Sequence, residues 1–213
     1  MRRSKWVLLG VAAVLVLGAC AQVTGGGFIQ GKAGGTTKAT YGFNLTCDTS
    51  AHLGHGALVG SWVYHDKSYA AGGYKSVDVG ATLTSSGPNF TLCTPVGTTA
   101  GGSAMWELPY GRQGTGCVNY FIGPNACPGI AVVTALDGNS GGPATLTSLQ
   151  GPQSVKGDGL GIYLNGGVFA GYYNGTGSTF SAPFGFTGIP PKPILGGNIV
   201  ITPTATSSPC CTT

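Results

Sequence analysis

The segment Lys38-Ala39-Thr40-Tyr41-Gly42-Phe43-Asn44-Leu45 alternates strictly, with Ala39, Tyr41, Phe43 and Leu45 set against Lys38, Thr40, Gly42 and Asn44. Successive side chains of a strand point to opposite faces, so the pattern predicts a strand with one buried and one wet face. A second segment repeats it, Val77, Val79, Ala81 and Leu83 alternating with Ser76, Asp78, Gly80 and Thr82. Weaker β-type runs stand at Ala57 to Tyr64, Phe90 to Cys93, Met105 to Leu108, Cys117 to Ile122, Ile130 to Leu136, Leu160 to Leu164, Val168 to Tyr173 and Asn198 to Ile201. Clusters of Gly, Pro, Asn and Ser separate them. Such an arrangement predicts an all-β domain, an antiparallel β-sandwich or partly closed barrel of about 8–11 short strands.

Composition agrees with that class. The 213 residues include 40 Gly and 13 Pro, and only 8% are charged. Glycine costs about 1 kcal/mol inside a helix, and charged helix faces are scarce, so long helices are disfavoured. A hydrophobic share of 42% and a mean hydropathy of +0.22 supply material for a core. The formal charge of +4 owes most to Arg2, Arg3 and Lys5. From Cys20 onward, Lys32, Lys38, Lys67, Lys75, Arg112, Lys156 and Lys192 face Asp48, Asp66, Asp78, Glu107, Asp137 and Asp158, a net of +1. No basic run along the chain points to nucleic acid.

Residues 1–19 combine a basic start, an apolar run from Trp6 to Leu17 and the small residues Gly18 and Ala19. This is the layout of a secretion signal, too short in its apolar part for a spanning helix of about 20 residues. The tetrad Leu17-Gly18-Ala19-Cys20 resembles the lipobox of bacterial lipoproteins. The resemblance implies cleavage before Cys20 and lipid attachment to that residue, each buried methylene contributing about 0.8 kcal/mol to membrane anchoring. The expected layout is a lipoprotein signal peptide over 1–19, a Gly-rich tether or first strand over 20–34, a single β domain over 35–202 and a disordered Pro/Ser/Thr tail over 203–213. As a tether, residues 20–34 would reach at most about 50 Å.

An exported chain meets an oxidising compartment, which makes its cysteines disulfide candidates. Cys117 and Cys127 bracket a short loop containing Gly123 and Pro124, and Cys47 with Cys93 would then join two strand ends. That is one of the many pairings six cysteines allow. Cys210 and Cys211 are adjacent, where a bridge between them is strained and either an intermolecular link or a free dithiol is open.

Glycine-rich strands at both termini permit close backbone approach, which suits a first and a last strand that pair and close the sheet. Val23-Thr24-Gly25-Gly26-Gly27-Phe28-Ile29, Lys38 to Asn44, and Leu195-Gly196-Gly197-Asn198-Ile199-Val200-Ile201 resemble the small secreted bacterial β domain known as the post-COAP domain. Tyr64-His65-Asp66, Val77-Asp78-Val79 and Gly157 to Leu164 fit its pattern loosely, and the Cys-bearing stretch from Cys93 to Cys127 departs from it. The resemblance implies a fold and an extracytoplasmic place. It carries over no catalytic residue.

Four sets of residues could hold chemistry. Gly138-Asn139-Ser140-Gly141-Gly142-Pro143 resembles the nucleophile loop of trypsin-like serine proteases, and His52 or His55, then Asp78, then Ser140 follow the required order. Neither histidine has the expected sequence context, and Asp78 falls on the wet face of its strand, so a tight turn is the reading preferred. His52 and His55, with Cys47, Asp48, His65 and Asp66 nearby, could be imagined around zinc, but the glycines near His55 imply a loop rather than a helix face. Asp137 and Asp158 offer oxygens to calcium without a closing acid, and Asx turns explain them. Trp62, Tyr64, Trp106, Tyr110, Tyr172 and Tyr173 are expected mostly in the core, with one of the adjacent Tyr172 and Tyr173 exposed as a possible glycan or partner contact.

The expectation is therefore a lipid-anchored extracytoplasmic β domain with a non-catalytic binding or structural role in the cell envelope. Its partners are the membrane, through the lipid, and an envelope protein or glycan, with no nucleic acid and no cofactor or metal. Two alternatives are a serine hydrolase using Ser140, and a surface lipoprotein encoded by a phage or mobile element that blocks a receptor.

Overall fold

The computed structural model describes residues 22–48, 56–70, 73–85, 91, 93, 97–99, 103–112, 129–138, 144–148, 151–155, 157–176, 189 and 191–202. Twelve strands occur among them and no helix: β1 (Gln22–Gln30), β2 (Lys38–Asp48), β3 (Ala57–Asp66), β4 (Val77–Leu83), β5 (Gly97–Thr99), β6 (Ser103–Arg112), β7 (Gly129–Leu136), β8 (Ala144–Ser148), β9 (Gly151–Val155), β10 (Gly159–Gly166), β11 (Tyr173–Asn174) and β12 (Lys192–Thr202).

Eight of these strands close a ring in the order β1, β2, β3, β4, β6, β7, β10, β12 and back to β1, every neighbouring pair antiparallel. Of the two all-β arrangements the composition allowed, the closed barrel is adopted. Closure removes the unpaired edges of an open sheet. The first and last strands pair from Gln22 opposite Thr202 to Ile29 opposite Ile194, with an irregularity between Phe28 and Ile29. The stretch that sequence left as tether or strand is thus β1, committed on both edges to β2 and β12. The short β5 and β11 pair with β6 and β10, and β8 with β9 form a separate hairpin.

Alternation builds the interior. Ala39, Tyr41, Phe43 and Leu45 of β2 point inward while Lys38, Thr40, Asn44 and Thr46 are exposed. Trp62 and Tyr64 of β3, Val77 and Val79 of β4, Trp106, Leu108 and Tyr110 of β6 and Leu160, Ile162 and Leu164 of β10 join them in one cluster. Phe43 stacks on Trp62, their planes only 12° apart. An apolar inside with polar outward residues on β2 and β4 is the polarity of a barrel that faces water; a lipid-facing barrel needs the reverse.

Glycine is required where β1 meets β12. A Cβ at Gly197, which has φ +100, would lie 2.0 Å from the Gly26 carbonyl oxygen, and one at Gly27 would lie 2.1 Å from that of Gly196. Only bare backbone lets these strands approach so closely.

Two expected strands differ. Thr91 and Cys93 lie outside any strand, although the Thr91 carbonyl accepts the Leu58 N–H at 2.8 Å. From Gly167 to Gly171 the chain turns: Gly171 N–H returns to the Leu164 carbonyl and Tyr172 N–H to that of Phe169, leaving only Tyr173 and Asn174 in β11. The β-rich composition of Val168 to Tyr173 hid a turn opened by Gly166 and Gly167, both with positive φ.

Candidate functional site

At the end of the barrel where β1 and β3 finish, the chemistry is polar and buried. Asp66, the last residue of β3, has no exposed surface. Its carboxylate accepts the Lys32 N–H at 2.8 Å, the Ser68 N–H at 2.8 Å, the Ser68 hydroxyl at 2.5 Å and the Tyr172 hydroxyl at 2.6 Å. The Tyr64 and Tyr172 hydroxyls lie 2.8 Å apart. The Asn174 amide nitrogen donates to the Tyr64 hydroxyl at 2.7 Å and to the Gln30 carbonyl at 3.1 Å. Three separate stretches of chain are thereby tied together, and β-strand alternation places Asp66 and Tyr64 on the inward face of β3, two residues apart.

Four donors fill the acceptor positions of this carboxylate. Burial raises the pKa of Tyr64 and of Tyr172, so both hydroxyls stay protonated and donate. This cluster suits a load of hydrogen bonds that closes a barrel end, not proton transfer.

The other buried acids act on the seam. Only Lys192 and Pro193 of β12 pair with β10. Beyond them Asp158 Oδ2 accepts the Ile199 N–H at 2.8 Å and Asp137 Oδ2 the Ile201 N–H at 3.1 Å, while Asp158 Oδ1 takes the Gly138 N–H at 3.1 Å. The two aspartates considered as calcium ligands or Asx turns therefore stand in for missing strand partners. Sequence reasoning missed this role, because it depends on how far apart β10 and β12 have diverged.

The remaining sequence candidates are distributed as follows. Cys47 and Cys93 form a disulfide, with Gly56 packed so closely that a Cβ there would lie 2.8 and 2.9 Å from the two sulfurs. Asp78 lies on the outward face as expected and pairs with His65 of the adjacent strand, Nδ1 to Oδ1 3.2 Å. Cys20, His52, His55, Cys117, Cys127, Ser140, Cys210 and Cys211 lie outside the described residues. Among the described residues no three His, Cys, Asp or Glu side chains gather as metal ligands. All six aromatics singled out are buried, including both Tyr172 and Tyr173. They do face opposite sides: Tyr172 enters the barrel, and Tyr173 joins Met105, Val132, Ile189 and Tyr163 in a second apolar cluster. The expected exposure of one of them fails because that second cluster covers it.

No family model, no curated protein and no solved structure matches this chain.

Proposed function

We propose that the protein is a lipoprotein of the cell envelope, a barrel held at a membrane through Cys20 with a non-catalytic binding or structural role. The observation that carries this reading is the position of the tetrad Leu17-Gly18-Ala19-Cys20 directly before β1, which starts at Gln22. Between Cys20 and the barrel only Ala21 intervenes, a reach of roughly 7 Å. The Gly-rich stretch that might have been a tether belongs to the wall of the barrel, so a lipid on Cys20 would seat the domain directly on its membrane.

The Cys47–Cys93 disulfide supports an oxidising compartment. The polar exterior of β2 and β4 supports a barrel surrounded by water beside the bilayer. The likeness of the terminal strands to the post-COAP domain is in keeping with both.

The test is the intact mass of the chain extracted from membranes, with and without reduction and thiol labelling. A mature chain starting at acylated Cys20 is expected. A mass without lipid, or one that retains residues 1–19, overturns the anchor.

A further inference from the structure

The sequence holds no basic run, yet the register gathers most of its positive charge at one end of the barrel. Lys32 lies in the β1–β2 turn, Lys38 opens β2, Lys67 and Lys75 flank the β3–β4 connection, Arg112 closes β6 and Lys192 opens β12. Antiparallel pairing brings these strand ends together: Gln30 faces Lys38, Asp66 faces both Ala39 and Val77, and Arg112 faces Val79. Lys32 and Lys192 are near enough that Lys32, after burial, lowers the pKa of the Lys192 amine. Six of the seven Lys and Arg that follow Cys20 thus occupy the same end.

Two acids, Asp66 and Asp78, stand at that end against six cations, and Asp66 bears on Lys192. Asp66 is buried and committed to four donors. Asp78 is turned to His65. Asp48 ends β2 at the opposite rim, Glu107 is midway along β6, and Asp158, although its backbone adjoins the start of β12, turns its carboxylate with that of Asp137 to the Ile199 and Ile201 N–H groups of the seam. Residues 113–128 and 177–188, in the connections that leave β6 and β11, contain no charged residue. Several of the cations sit beside aromatic rings. Lys38 Nζ is 4.0 Å above the Phe28 ring, the Arg112 guanidinium 4.1 Å above Tyr74 and Lys32 Nζ 5.2 Å from the centre of Tyr173. Tyr69, 38% exposed and two residues beyond Lys67 in the β3–β4 connection, leans on Tyr172.

We propose that this cationic, aromatic-edged end is a binding face for an acidic polysaccharide of the envelope, one that bears carboxylates on its sugar rings. Lysines meet the carboxylates while the exposed part of the Tyr69 ring meets the sugars. The proposal rests on the lipoprotein reading for its orientation: Cys20 precedes the start of β1, at the opposite rim, so the lipid would point the six cations away from the bilayer and toward envelope polymers. Charge and aromatic surface on one rim favour a glycan over a bare polyphosphate or a lipid headgroup layer.

The test uses the full chain in a neutral detergent, run through gels containing polygalacturonate, dextran or polyphosphate. Polygalacturonate is expected to retard the protein, less so as salt rises, and dextran to leave it unaffected. The variant Lys38→Gln/Lys67→Gln/Lys75→Gln, all three exposed lysines, should bind about tenfold more weakly or worse, and Lys156→Gln should stay within about twofold of the parent. Lys67→Gln/Lys75→Gln, confined to one connection, should lose about threefold and guards against a folding defect in the triple variant. Equal binding by parent and triple variant overturns the face. So does an equal loss in Lys156→Gln, which would mean net charge alone, and so does tighter binding to polyphosphate or to phosphatidylglycerol vesicles than to polygalacturonate. The anchor is read separately by mass: an unlipidated chain that binds polygalacturonate overturns the anchor and keeps the face, whereas a lipidated chain that ignores it overturns the face alone.

Discussion

The Asp158 carboxylate receives the backbone N–H of Ile199 at 2.8 Å, tying residues 41 positions apart across the seam between β10 and β12. Both are buried, and Ile199 is fully so. Strand pairing at this seam covers only two residue pairs, as it does between β4 and β6, and here the side chain replaces a ladder bond that the diverging backbones cannot make.

Asp158→Asn tests that substitution. The amide keeps the shape, but one of its ends is an NH2 group that must face a backbone N–H, either that of Ile199 or that of Gly138. A buried donor left against a donor costs about 1–3 kcal/mol. Urea unfolding should show a lower midpoint with an unchanged slope; an unchanged midpoint would mean that the carboxylate does not hold the seam.

How much of this was legible in the sequence depends on the range of the cause. The strict alternation of β2 and β4 is local, and it named both strands and the inward set Ala39, Tyr41, Phe43 and Leu45. The pairing of the Gly-rich first and last strands was legible as a possibility, because Gly25, Gly27 and Gly197 left no side chain to keep them apart. Closure into a barrel stood beside a sandwich as one of two arrangements, and local pattern did not choose between them, since closure requires β7 and β10 to pair across a long intervening stretch that carries its own hairpin. The roles of Asp66, Asp137 and Asp158 and the collection of lysines at one rim share that cause. Each is a relation between residues distant in sequence, set by register and invisible in any window.

The close approach of β1 and β12 predicts a sharp difference between two glycines with positive φ. At Gly197 a Cβ would meet the Gly26 carbonyl oxygen at 2.0 Å, whereas at Gly34 it would meet nothing within 4 Å. Gly34→Ala should cost about 1 kcal/mol, the strain of its backbone conformation alone. Gly197→Ala must also push two paired strands apart and should cost more than about 3 kcal/mol. Thermal unfolding of the two variants side by side decides it; equal losses would mean that the terminal strands are not packed as described.

The Cys47–Cys93 bridge closes a loop of 46 residues that contains all of β3 and β4. Confining a loop of that size in the unfolded chain contributes about 4 kcal/mol on the chain-entropy model, and about 2–4 kcal/mol in typical measurements. Cys47→Ala/Cys93→Ala should therefore lower the unfolding free energy by about 3 kcal/mol. Reduction of the parent protein should shift its midpoint to match. A double variant as stable as the oxidised parent would show that the bridge contributes nothing.

Buried tyrosines make the fold sensitive to alkali. Burial pushes the Tyr110 hydroxyl, which donates to the Gly166 carbonyl, up to about 12, and it raises Tyr41, Tyr64 and Tyr172 as well, the charge of Asp158 adding to the effect at Tyr41. An unfolded tyrosine titrates near pH 10. Each of these groups thus holds its proton more tightly in the folded state, and the stability linked to it is fully present below about pH 10 and lost as pH rises through the folded value. The unfolding free energy should show no pH dependence from these four between pH 7 and 9 and should fall progressively above about pH 10. Phenolate absorbance of the native protein should lag behind that of the urea-unfolded chain by several of its nine tyrosines. Tyr172→Phe removes one donor from Asp66 and the partner of Tyr64, which should cost about 2 kcal/mol at neutral pH and make the alkaline decline shallower. Native and unfolded titrations that coincide, with circular dichroism still native, would refute the burial of this network.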